Sequence, residues 1–102
     1  MLLTFHDDPG HAWLEIPEKV CTDLGVVLSG YSFVSPDGRD YYAEEDCDAP
    51  KVIKALAAAG FELEYQSIYY EKGFKETFPR LHYIRKQRFT NIPAASCGVD
   101  AV

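Results

Sequence analysis

Leu2-Leu3-Thr4-Phe5-His6-Asp7-Asp8-Pro9-Gly10-His11-Ala12-Trp13-Leu14-Glu15-Ile16-Pro17 opens the chain with two short apolar runs around a turn. Asp7-Asp8-Pro9-Gly10 is that turn, because Pro presets one φ and Gly accepts a positive φ at the next position. The runs on either side read as strands of a hairpin. Pro17 then suits the first turn of a helix, Pro17 to Leu24, with Val20, Cys21 and Leu24 on one face and Gly25 at its C-terminal end.

The same logic carries down the chain. Val26 to Ser35 is rich in β-branched and aromatic residues. Ser35-Pro36-Asp37-Gly38 is a second turn, and Arg39 to Glu45 returns as a strand. Gly30 inside the third strand suggests a bulge or a close backbone approach. Residues 48–60 predict a helix with Asp48 as N-cap, Gly60 at the end, and a stripe of Val52, Ile53, Leu56 and Ala59. Phe61-Glu62-Leu63-Glu64-Tyr65-Gln66 alternates, which predicts a half-buried strand with Phe61, Leu63 and Tyr65 inward. Leu81 to Arg85 offers a last strand. The expectation is an α+β fold, an antiparallel or mixed sheet of five to six strands with two helices on one face. Trp13, Tyr42, Ile68 and Tyr70 are candidates for the other face. Residues 1–89 form the domain, and 90–102 read as a poorly packed tail.

Charge is divided along the chain. Residues 1–71 hold fourteen Asp/Glu and four Lys/Arg, a net of −10; residues 72–102 hold six Lys/Arg and two Asp/Glu, a net of +4. Such a split favours an interaction role over catalysis. No Ser-His-Asp order, phosphate-binding glycine loop or dinucleotide fingerprint occurs. No apolar run approaches the roughly 20 residues that span a bilayer, and the N-terminus lacks a basic signal-peptide start. Three cysteines at long spacings, Cys21, Cys47 and Cys97, form no zinc pattern and suit a cytoplasmic protein.

Three clusters invite a functional reading. Glu44, Glu45, Asp46 and Asp48 are a solvated strand end, a patch that docks on a basic surface, with exposed Trp13, Tyr41 and Tyr42 as anchors, or a Mg²⁺ or Ca²⁺ site, although their spacing matches no EF-hand loop. His6 and His11 flank the first turn and, with Asp7 or Asp8, would hold a divalent metal if they faced each other; a third strong ligand is missing. The segment 72–89 interleaves cations with Phe74, Phe78, Tyr83 and Phe89. It pairs with acidic strands, meets a partner or a second copy, or stacks on single-stranded nucleic acid. The acidic whole argues against the last. Cys47 precedes a helix, but the carboxylates around it disfavour a thiolate.

His6-Asp7-x-Pro9-Gly10-His11-x-Trp13-Leu14-Glu15, Tyr41-Tyr42-Ala43-Glu44-Glu45-Asp46-Cys47-Asp48 and Pro79-Arg80 resemble a group of small uncharacterised bacterial proteins of phages and plasmids. The resemblance spans roughly residues 4–83. It implies a mobile-element origin and, by analogy, an inhibitor of host defence such as an anti-CRISPR protein. The expectation is therefore a non-enzymatic, acidic protein-binding module without cofactor or metal. It would block a host nucleic-acid-handling complex by electrostatic occlusion. The alternatives are a metal-dependent enzyme on the His6/His11 hairpin and a nucleic-acid-binding accessory protein working through 72–89.

Overall fold

A computed structural model describes residues 1–78 and 80–84. The expected tail 90–102, Pro79, and Arg85 to Phe89 of the basic segment lie outside the described residues. Six strands and three helices follow in the described chain. They are β1 (Leu2–Asp7), β2 (Ala12–Pro17), α1 (Glu18–Leu24), β3 (Phe33–Val34), β4 (Asp40–Glu44), α2 (Ala49–Ala58), β5 (Glu64–Tyr69), α3 (Phe74–Thr77) and β6 (His82–Tyr83). All six strands join one mixed sheet in the order β5-β1-β2-β4-β3-β6. No described helix is long and apolar enough to cross a membrane.

Both predicted hairpins form. β1 and β2 pair antiparallel with His6 opposite Trp13, and Asp8 closes their turn by accepting the N–H groups of Gly10 and His11, each at 2.9 Å. β3 and β4 pair across Ser35–Gly38, where Gly38 takes φ +78° and its N–H meets the Ser35 carbonyl. The third strand is much shorter than its composition predicts. Only Phe33 and Val34 enter the sheet, and 26–32 is a loop. Ser29 and Ser32 spend their hydroxyls on Asp48 instead of leaving the segment extended.

Alternation puts the apolar faces of the strands where the helices can cover them. Leu3, Leu14, Ile16 and Ala43 share one face and pack with Cys21 of α1 and Ala49, Val52 and Leu56 of α2. Leu14, Ile16, Val52 and Leu56 are wholly buried, each contributing roughly 1.5–3 kcal/mol. The predicted α2 stripe holds at Val52, Ile53 and Leu56; Ala59 is exposed, and Ala49 takes its place one turn before Val52. Gly60 at φ +96° ends the helix, with the Phe61 N–H returning to the Leu56 carbonyl.

The opposite face carries a second, aromatic core. Trp13, Phe33, Phe74 and Leu81 are buried there with Tyr42 and Tyr70 against them. Phe74, at the start of α3, has the rings of Trp13, His6, Phe78, Tyr42 and Tyr70 within 5.0–5.6 Å. The face away from α1 and α2 is thus closed around Trp13 by α3.

β5 departs from its expected half-buried pattern. It runs parallel to β1, and all six of its residues are exposed. Phe61 and Tyr65 are about half exposed; Leu63 alone of the predicted inward set packs on the core. The strand is outermost, so no further strand covers it among the described residues.

Candidate functional site

A pocket of about 330 Å³ opens beside the end of β4, lined by His11, Trp13, Tyr31, Phe33, Glu44, Asp46, Cys47 and Tyr83. Its walls are aromatic. Trp13 packs on Phe33 at 5.5 Å between ring centres, Phe33 on Tyr83 at 4.5 Å, and His11 on Trp13 at 5.7 Å. Trp13 and Phe33 are buried, whereas Tyr31 and Tyr83 are about half exposed and form the rim. Carboxylates supply the polar part.

Two features fix that geometry. Glu44 turns its Oε1 back onto the N–H groups of Asp46 (3.0 Å) and Cys47 (2.8 Å), closing the turn into α2. Its Oε2 is 3.9 Å from the His11 Nδ1. Asp48, fully buried, accepts the Ser29 N–H and hydroxyl at 2.8 Å and the Ser32 hydroxyl. Ser32 in turn accepts the Glu44 N–H at 2.9 Å, and Ser29 Oγ accepts that of Tyr31 at 3.1 Å. One buried carboxylate therefore ties the loop bearing Tyr31 and Phe33 to the strand end bearing Glu44. Lys51 stands 3.2 Å from the Asp48 Oδ1 and offsets its charge. Asp48 occupies the N-cap position as predicted but makes no side-chain cap, because its oxygens face the loop.

The field at the pocket is negative. Burial, then the charges of Asp46 and Glu44, raise the Glu45 carboxyl above its ordinary value; the Ala12 backbone and His11 oppose this only in part. His11, Glu44 and Glu45 each bring one donor atom within 4.8 Å of the others. These are the described residues that would hold a divalent cation. Glu44 would have only Oε2 to give, since Oε1 is already engaged by two N–H groups.

The alternative of a metal site on the His6/His11 hairpin is not supported by the geometry, which sends the two rings to different partners. His6 is buried, with Nδ1 2.8 Å from the Tyr70 hydroxyl and Nε2 2.7 Å from the Glu15 carboxylate. Both ring nitrogens are thereby engaged. His11 lies out on the turn and is drawn to Glu44. Asp8 is spent on backbone N–H groups, including that of Phe74.

The acidic run is also divided by the fold. Asp46 is exposed and Glu45 half-buried, but Glu44 is only 8 % exposed and serves the turn. Trp13 is 7 % exposed, so it is a pocket wall and not an exposed anchor. Tyr41 packs against the helix-side core and Tyr42 against the aromatic core. Burial, then Glu15 and Asp40, push the Tyr42 hydroxyl up to about 12. Cys47 lines the pocket and is not a free side chain. Of the basic segment, Lys75 sits over the Phe33 ring at 5.7 Å.

Sequence reasoning missed Tyr31 and Phe33 as site residues and placed Tyr83 only in the basic segment 72–89, apart from the acidic run. Tyr31 and Phe33 lie in one segment, and the β3–β6 pairing, with Phe33 opposite Tyr83, brings the distant Tyr83 beside them. Compared with family models, curated proteins and solved structures, the chain matches none of them.

Proposed function

We propose that this protein is a small acidic protein-binding module whose pocket receives a Lys or Arg side chain from a basic surface of its partner. The observation that carries the reading is the pocket itself, four aromatic side chains set against Glu44 and Asp46. Ring faces attract a cation by their quadrupole, by about 0.5–2 kcal/mol according to desolvation. Carboxylates beside them add charge-assisted hydrogen bonds. A guanidinium suits both parts, because it is planar and stacks while its fork meets a carboxylate. Exposed Asp46 would speed encounter by steering, and the dry aromatic wall would hold the complex.

The partner would be a protein whose Lys/Arg surface otherwise meets nucleic-acid phosphate, and occupation of that surface would exclude the nucleic acid. Inhibition of a host defence complex in the cytoplasm is the form of this activity that the resemblance to phage and plasmid proteins suggests.

Trp13 is the chain's only tryptophan and lines the pocket, so its fluorescence reports directly. Titration with an arginine-rich peptide at low salt should change Trp13 emission saturably, and a neutral peptide of equal length should not. Asp46→Asn and Tyr31→Ala, both at exposed positions, should weaken the response without loss of fold. An unresponsive Trp13, or a response that neither variant weakens, would remove the reading.

A further inference from the structure

The opposite edge of the sheet carries a separate feature. We propose that β5 is a self-association edge, where two copies pair antiparallel about a two-fold axis at Ser67 and join two sheets into one.

The hydrogen-bond phase of β5 is fixed at both ends. The Glu64 N–H goes to the Met1 carbonyl and the Tyr70 N–H to that of Asp7. In a parallel ladder, alternate residues face the neighbouring strand. Glu64, Gln66, Ile68 and Tyr70 therefore turn their backbone groups to β1. Tyr65, Ser67 and Tyr69 turn theirs outward, where no described strand meets them.

Among the described residues, this edge lacks the usual protection. Folded proteins guard an open strand with Lys, Pro, a bulge or a covering element. Glu64-Tyr65-Gln66-Ser67-Ile68-Tyr69 has one charge, at its first position, and neither Pro nor Gly. Tyr65, Ile68 and Tyr69 are 51 %, 44 % and 62 % exposed.

The outward set is symmetric about Ser67, which is what a two-fold contact between identical strands requires. With Ser67 opposite Ser67 of the second copy, Tyr65 meets Tyr69 of the second copy, twice by symmetry. Cross-strand aromatic pairs of this kind are among the more favourable. The same register sets Gln66 against Ile68 and Glu64 against Tyr70, so no like charges oppose. The self-complementary set Tyr65, Ser67 and Tyr69 argues for a second copy over an unrelated strand.

Sedimentation velocity across micromolar concentrations tests the proposal with the full chain. The expected species is twice the 11.5 kDa chain, dissociating on dilution. Ser67→Pro removes only an outward N–H, and Pro is tolerated on edge strands; it should yield a monomer with wild-type circular dichroism. Tyr69→Lys is the second variant, placing an edge charge at an exposed position, and should do the same without any backbone constraint. A wild-type monomer throughout the range, or a dimer that survives both folded variants, overturns the proposal. Neither result bears on the pocket, which lies at the other end of the sheet.

Discussion

Asp8 and Phe74 stand 66 residues apart, and the Asp8 Oδ2 accepts the Phe74 backbone N–H at 2.8 Å. The residue that closes the first turn thus also docks α3 on the aromatic face. Burial alone would raise the Asp8 carboxyl, but the N–H groups of Phe74, His11 and Gly10 outweigh it and hold the carboxyl below its ordinary value. The folded state therefore favours the ionised form. Its contribution is present above the unfolded value of about 3.9 and is lost as pH falls through the lowered folded value. Asp8→Ala should cost about 1 kcal/mol at neutral pH, after allowance for solvent. Urea unfolding at several pH values should show a shallower acid decline in the variant. An identical decline would mean that Asp8 does not hold Phe74 in solution.

Asp48 should be among the most sensitive polar positions. Asp48→Ala leaves the Ser29 N–H and the Ser29 and Ser32 hydroxyls without this acceptor and removes the Asp48 carboxylate from beside Lys51. A loss of about 3–5 kcal/mol follows from breaking such a buried set, a large share of the stability of so small a domain. Asp48→Asn keeps an acceptor and should lose less. Thermal unfolding with both variants within a degree of wild type would rule out the buried network.

On the aromatic face, His6 ties β1 to β2 through Glu15 and to the segment after β5 through Tyr70. His6→Ala should cost about 2–4 kcal/mol from the lost ring contacts and hydrogen bonds. His6→Phe keeps the packing and should recover most of that, since Glu15 is partly exposed and can turn to water. Near-ultraviolet circular dichroism, which senses the aromatic cluster, should weaken more in His6→Ala than in His6→Phe. Equal spectra for all three proteins would place His6 outside that cluster.

Cys21 is buried at 1 % exposure in the helix-side core. Burial, then Glu18 and Asp48, push its thiol up to about 11. Little thiolate forms at neutral pH, and the sulfur is inaccessible, so native protein should resist alkylation at Cys21. Peptide mass mapping should show rapid modification after addition of denaturant. Modification of Cys21 in the native protein at the denatured rate would place it outside the core.

The acidic run illustrates what changes between chain and fold. Replacing Glu44, Glu45 and Asp46 together is a sound test of a solvated patch, but Glu44 also holds the turn through two backbone N–H groups. A neutral Glu44 variant would alter structure as well as charge. Glu45→Gln with Asp46→Asn isolates the field, with stability expected within about 0.5 kcal/mol of wild type.

The chain by itself determined the α+β class, both hairpin turns, the α1 and α2 helices and most of the buried stripe of α2. These rest on local rules: φ preference at Pro9, Gly38 and Gly60, and side-chain periodicity that repeats within one element. The tertiary structure decided everything that depends on which distant segments meet. It made β5 a parallel, exposed edge, although Phe61 to Gln66 alternates like a half-buried strand, because alternation does not say whether anything covers a face. It buried Trp13 under Phe74, sent His6 to Tyr70 instead of His11, and turned Asp48 from a helix cap to the loop at Ser29 and Ser32. In each case a polar or aromatic group had several partners of similar energy within reach of the sequence, and only the packing of the sheet against α3 and the loops selected one.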